Sequence, residues 1–193
     1  NIKDFFGKPV ISYPIDVCKK LKFFKNVFVS TESKVISNIA KKYGAKVPYL
    51  RPKSLADSKT GTLPVIRDFI KKLKIPLNTT ICCVYPVTPM INEKLLKKSY
   101  KIYKNSSSEF LIPIIRSQYK KSQAFQLNKN KIVKKNNSNK YYTDAGQFYF
   151  GKAKNFINSK SLLFSKYSKG LVIKTNDAID VNTIADWKKL KLM

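Results

Sequence analysis

Apolar positions along the chain alternate between two spacings. Stretches with the helical repeat cover 9–21 (Pro9 near the start), 33–44, 62–75, 92–105 and 183–192. Ser33 and Asn92 stand where N-caps belong, and Gly44 stands where a helix ends. Between them lie compact β-rich runs: NVFVST at 26–31, a brief extended AKVPYL at 45–50, TTICCVYPV at 79–87 and EFLIPIIR at 109–116. TDAGQFYFG at 143–151, with a short helix after it, and GLVIKT at 170–175 complete the set. The run at 79–87 is the strongest buried-strand signal and is closed by prolines. Strand–helix alternation predicts an α/β domain, a mainly parallel sheet with helices on both faces. No repeat or linker interrupts it, so 1–193 reads as one domain. The stretch 116–143 breaks the rhythm: it is polar, with short strand candidates at 122–127 and 131–135 and a hairpin tip at 129–131. It is either a solvated surface excursion or an arm that meets a second subunit or folds over a site.

Charge changes the picture less than its size suggests. The formal net charge is +28, which raises nucleic-acid binding. Yet of 39 basic residues only Arg51, Arg67 and Arg116 are arginines, the type that grips phosphate and base edges bidentately. The lysines are spread over helix faces, and Asn, Ile, Phe and Tyr are abundant with them, as AT-rich codon drift produces. Nucleic acid is therefore not the expected partner, although an anionic substrate gains from the field. The chain has no histidine, which excludes Ser-His and Cys-His nucleophiles. Cys18, Cys82 and Cys83 are odd in number, two of them adjacent in an apolar run, and read as buried thiols of a reducing cytosol. No apolar run nears the roughly 20 residues of a membrane span, and no signal peptide is visible. The opening NIKDFFGKPV reads as mid-domain sequence, from which a truncated product or fragment is expected.

Four segments carry polar groups in suggestive places. CCVYPVTP ends a strand, and open α/β sheets bind ligands beyond the carboxyl ends of strands, where Tyr85 and Thr88 would sit. A structural turn explains that segment as well. YLRPKSLADSKTGT places Arg51, Thr60 and Thr62 ahead of a helix, a set suited to phosphate or nucleotide, or simply to a capped, solvated loop. In TDAGQFYF, Asp144, Gln147 and Tyr149 surround Gly146, with Gln147 and Tyr149 on one face of an extended strand. A polar Gln among apolar neighbours points to a polar ligand more than to an edge strand. In AIDVNTIADW, Asp180 and Asn182 are two apart and can offer hard oxygens to a divalent cation; read alone, Asn182 or Thr183 serves better as a helix cap.

The order of these pieces is more telling than any one of them. Asn1-Ile2, FFGKPVISYPID, VFVSTES, AKVPYLRPKSLADSKTGTLPVI, CCVYPVTP, DAGQFYF and AIDVNTIADW together resemble the CMP-sugar synthetases that activate nonulosonic acids, most of all the pseudaminic acid cytidylyltransferases. The resemblance covers essentially the whole chain, and the LRP loop and DAGQFY are its more specific parts. It implies a three-layer Rossmann-like nucleotidyltransferase fold, a cytoplasmic homodimer and a magnesium-dependent transfer of CMP from CTP to a sialic-acid-like sugar acid. Pseudaminic acid is the first acceptor it implies; N-acetylneuraminic, legionaminic and keto-deoxy-octonic acids are the alternatives, and an inactive or nucleic-acid-binding relative is the alternative of another class. By the same resemblance Asn1, Arg51, Thr60 and Thr62 belong to the nucleotide side. Tyr85, Gln123, Asp144, Gln147 and Tyr149 belong to the sugar, and Asp180 with Asn182 to magnesium, Asp180 being the catalytic carboxylate. Two departures stand out. The family's first strand and its glycine-serine-lysine phosphate loop are absent but for Asn1, which implies exposed strand edges and an inactive isolated chain. Asn182 stands where a second Asp is usual, which implies weaker magnesium binding.

Overall fold

The computed structural model describes residues 1–57, 59–117, 124–134, 139–174, 181 and 183–192. A small hairpin of β1 (Asp4–Phe5) and β2 (Lys8–Pro9) leads into α1 (Ser12–Lys20) and α2 (Lys34–Lys42). A 3₁₀ turn at Lys53–Leu55 precedes α3 (Thr62–Lys72), β3 (Thr80–Val84), α4 (Glu93–Lys104) and β4 (Phe110–Ser117). The excursion holds β5 (Gln126–Asn128) and β6 (Lys131–Val133), followed by β7 (Tyr141–Asp144) and β8 (Phe148–Lys152). Then come α5 (Ala153–Asn158), β9 (Ser168–Val172) and α6 (Ile184–Lys191).

The local signals act as their chemistry dictates. Ser33 accepts from the Ile36 N–H and Asn92 from the Leu95 N–H, so both cap their helices. Gly44, at φ +85°, takes the left-handed conformation that stops α2. Lys129 and Asn130, both at positive φ, turn β5 back onto β6 as the KNK hairpin predicts. Thr183 caps α6, in a reciprocal capping box with Asp186.

The sheet runs β3-β8-β4-β9-β6-β5, with β7 on β4. Its alternating side chains feed two cores. On one face Phe110, Ile112, Ile114, Ile81 and Cys83 pack with Ile66 and Ile70 of α3 and Phe156 of α5. On the other Leu111, Phe148, Phe150, Cys82 and Val84 pack with Cys18 and Leu21 near α1 and Leu96 and Tyr103 of α4. These are the three layers the sequence predicts. The strand directions are more mixed than predicted: β4–β9 is parallel, whereas β3–β8, β4–β8, β4–β7, β5–β6 and β6–β9 are antiparallel. The reason is the connection. A helix carries β3 to β4 and leaves them co-directional, but the chain returns from β4 through the excursion and lays β8 antiparallel between them.

Two more predicted strands differ. The run 26–31 forms a single parallel bridge, Phe28 to Lys46, with Val29 N–H donating to Lys46 O at 2.9 Å and Lys46 N–H to Val27 O at 2.8 Å. The pairing stops at that one bridge. The run 143–151 is interrupted: β7 ends at Asp144, Gly146 sits at φ +59°, and β8 begins at Phe148. β3 closes one end of the sheet order, and all five of its residues are half-buried.

Gly151 tests the packing of β8. A Cβ there would lie 2.6 Å from a Phe110 ring carbon and 2.8 Å from one of Phe156. Both rings belong to the filled core and have no free direction in which to retreat. Gly151→Ala should lower the unfolding free energy by about 1–3 kcal/mol in urea denaturation. Gly61→Ala meets nothing within 4 Å and loses only the glycine N-cap of α3, so it should cost less, about 0.5–1 kcal/mol.

Candidate active site

The interruption of the return strand creates the site. β7 keeps register with the far end of β4, Asp144 opposite Ile114, and β8 with the near end, Phe150 opposite Leu111. More residues span the gap on the return strand than on β4, so Ala145–Gln147 bulge out of the ladder. Ala145 N–H still donates to Pro113 O at 3.1 Å, while Gln147 O turns to accept from Tyr85 N–H at 2.9 Å, just past the end of β3. Asp144 holds the bulge: one carboxylate oxygen accepts from Gly146 N–H at 3.0 Å and the other from the Tyr149 hydroxyl at 2.5 Å.

A chain of polar contacts runs on from there. The Tyr149 hydroxyl meets that of Tyr85, whose ring stands edge-on at 5.6 Å between centroids. The Tyr85 hydroxyl in turn lies 2.6 Å from Thr62 Oγ1, in the first turn of α3. These groups floor a cleft of about 480 Å³ beyond the carboxyl end of β3, where an open α/β sheet binds its ligands. α3 from Gly61 to Pro64 forms one wall, and Lys160, Ser161, Leu162 and Leu163 form the other. Burial raises the Tyr149 phenol far above its ordinary range, and the neighbouring Asp144 charge raises it further. Burial also raises Tyr85, against its hydrogen bonds with Thr62 and Tyr149. Both phenols are neutral donors at neutral pH.

Of the residues predicted from sequence, Thr62, Tyr85, Asp144 and Tyr149 come together, although Thr62 was assigned to the nucleotide side. Gln147 is buried beside them at 1% exposure, and its Oε1 has no partner among the described residues. Thr88 is buried and donates to Tyr85 O at 2.7 Å, so it braces the loop after β3. Arg51 is not in the cleft. It pairs with Glu32 at 2.8 Å, and its backbone N–H donates to Thr31 O, fastening the loop to the end of the 26–31 segment. Its Nε is buried without a partner among the described residues. Thr60 also lies outside the cleft; its N–H donates to Asp57 in the turn ahead of α3. Asn1 is exposed, with its carbonyl accepting from Ile11 N–H. Gln123, Asp180 and Asn182 lie outside the described residues. Among the described residues no group of three acidic or cysteine side chains is placed to hold a metal. No described helix is long and apolar enough to cross a membrane.

Sequence reasoning missed the second wall and the residue that holds it. Arg67 of α3 donates from Nε to Phe156 O at 2.9 Å and from Nη2 to Ser159 O at 2.5 Å. The available signal was its being an arginine in a lysine-rich chain: two carbonyls at a fixed separation need the planar fork of a guanidinium.

The raised phenols give a pH dependence. The folded chain holds the Tyr149 proton more tightly than the unfolded chain does. That stabilisation is complete below the ordinary phenol value of 10.0 and is lost as pH rises beyond it. The urea midpoint should fall between about pH 8 and about pH 11, and should fall less in Tyr149→Phe. Equal slopes for the two proteins would contradict the assignment.

Comparison with known proteins places the family and the fold. The cytidylyltransferase family model matches residues 1–175. The chain is 32% identical to the pseudaminic acid cytidylyltransferase of Campylobacter jejuni, over all of this chain and 88% of that one. It is 33% identical to a Helicobacter pylori protein that is both pseudaminic acid cytidylyltransferase and UDP-2,4-diacetamido-2,4,6-trideoxy-beta-L-altropyranose hydrolase, over all of this chain and 38% of that one. A CMP-N,N'-diacetyllegionaminic acid synthase of Legionella pneumophila is 25% identical over 97% of this chain and 85% of its own length. Among solved structures, a CMP:2-keto-3-deoxy-manno-octonic acid synthetase complexed with CTP shares the fold, with a TM-score of 0.74 at 12% identity over 99% of this chain and 89% of that one. Family match and architecture agree: the chain belongs to the cytidylyltransferases, nucleotidyltransferases of a three-layer α/β fold.

Proposed function

We propose that the protein transfers CMP from CTP to a nonulosonic acid, with pseudaminic acid as acceptor, and that the cleft between α3 and 160–163 holds that acceptor. The observation that carries this is the run of hydroxyl and carboxylate groups from Thr62 through Tyr85 and Tyr149 to Asp144, set at the carboxyl end of β3. Such a row suits a polyhydroxylated ring, and Leu162 and Leu163 suit its apolar substituents. Gln147, buried near Tyr85 with an Oε1 that has no partner among the described residues, is proposed as a further polar group on that side. The similarity, over all of this chain, to these two pseudaminic acid cytidylyltransferases supports the choice of acceptor.

In the reaction the acceptor's anomeric hydroxyl oxygen attacks the α-phosphorus of CTP. A phosphorus–oxygen bond to the sugar forms, the bond to the β,γ-diphosphate breaks, and pyrophosphate leaves while the hydroxyl proton passes to solvent or base. The chain's task is positioning and charge neutralisation. Thr62, Tyr85 and Tyr149 fix the ring, and the bulge at 145–147 fixes Tyr149. Arg51, Thr60 and Asn1 are proposed for the nucleotide. Magnesium fits the donors offered by Asp180 and Asn182, a carboxylate and a carboxamide oxygen, and supplies charge neutralisation when bound. A cytoplasmic homodimer follows from the same family reading.

The decisive assay is pyrophosphate release from CTP with magnesium and each of pseudaminic, legionaminic, N-acetylneuraminic and keto-deoxy-octonic acids. Release with pseudaminic acid above the other three is expected. No release with any acceptor, beside salt-sensitive RNA binding, would sink the proposal.

A further inference from the structure

Lys160 stands between pinned points. On its N-terminal side Ser159 O accepts from Arg67 at 2.5 Å, and Ser159 N–H donates to Asn155 O at 2.9 Å. On its C-terminal side Leu162 O accepts from the fully buried Ser168 hydroxyl at 2.5 Å, and Ser161 Oγ accepts from Phe164 N–H at 3.1 Å. The wall is thus fixed by α3, α5 and β9 at once, and the Lys160 backbone has little freedom. Its ammonium group makes no hydrogen bond or ion pair among the described residues.

The other ionic groups of the cleft are spoken for. Arg67 spends its fork on two backbone carbonyls. Asp144 is engaged by Gly146 and Tyr149 and brings negative charge to the lining of the cleft. Thr62 and Tyr85 engage one another. A ligand with one carboxylate and several hydroxyls therefore meets an asymmetric cleft. Asp144 repels the carboxylate and accepts from hydroxyls, and among the described residues that line the cleft Lys160 is the cation left for the carboxylate. We propose that Lys160 anchors the carboxylate of the acceptor, presented by a wall that Arg67 holds in place. The proposal rests on the reading of this cleft as the acceptor site.

Titration calorimetry with pseudaminic acid and with its methyl ester, which keeps the hydroxyls but not the charge, separates the parts. The wild-type chain should bind the acid about tenfold more tightly than the ester. Lys160→Gln, at an exposed position that leaves the fold intact, should remove that difference and leave ester binding unchanged. Arg67→Lys, which cannot span both carbonyls, should weaken acid and ester by the same factor because it frees the whole wall. A preference for the acid that survives in Lys160→Gln overturns the anchor while leaving the acceptor site standing. Failure of the wild type to bind either compound overturns the acceptor site and the anchor with it.

Discussion

The bulge that Asp144 ties into the return strand is the constraint on which the rest of the site depends. Without it β7 and β8 would run past β4 as one ladder, and Asp144 and Tyr149, five positions apart in sequence, would point to opposite faces of the sheet. With it, they meet at 2.5 Å, and Gln147 is turned to close on Tyr85 past the end of β3. One carboxylate thereby joins the return strand to the loop after β3 and, through Tyr85 and Thr62, to the start of α3. The left-handed conformation of Gly146, at φ +59°, makes the bend accessible.

α3 is the second organiser. Its first turn touches the polar floor through Thr62, its middle carries Arg67 to the far wall, and its inner face, Ile66 and Ile70, is buried in the core. Floor and wall are thus spaced by one rigid element, which is how a cleft of loops keeps a fixed width. The charge pattern fits the same division of labour. Of the three arginines, Arg67 makes the fork contact just described and Arg51 an ion pair with Glu32, whereas lysines populate the exposed helix faces and lend a general positive field.

Much of this was legible beforehand. The helical repeats at 33–44 and 92–105, with Ser33 and Asn92 as caps, and the KNK turn followed from local chemistry and stand as written. The three layers followed from alternation. Strand direction did not, because the side-chain period along a strand is the same whichever way it runs. The bulge was hidden for a related reason: TDAGQFYFG reads as continuous, and Gly146 permits a bend without demanding one. TICCV is apolar on both faces, which suits a strand with a neighbour at each edge, yet β3 closes the sheet order and its residues stay half-buried. Thr62, Tyr85, Asp144 and Tyr149, which share the cleft, could be singled out in the sequence because each is a polar residue at a strand end or helix start. Arg67 and Lys160 were not, because they sit in an amphipathic helix and a polar loop where basic residues are ordinary. The metal donors Asp180 and Asn182 remain inferences from the family pattern.

The central claim is that the floor of Thr62, Tyr85, Tyr149 and Asp144 and the wall at 160–163 form one acceptor cleft. Methyl chemical-shift mapping tests it most directly, following leucine, valine and isoleucine methyls as pseudaminic acid is added. The account predicts that Leu63, Leu162 and Leu163, on facing sides of the cleft, shift together and saturate at one concentration. Shifts confined to Ile36 and Ile39 of α2, with Leu162 and Leu163 unmoved, would contradict it.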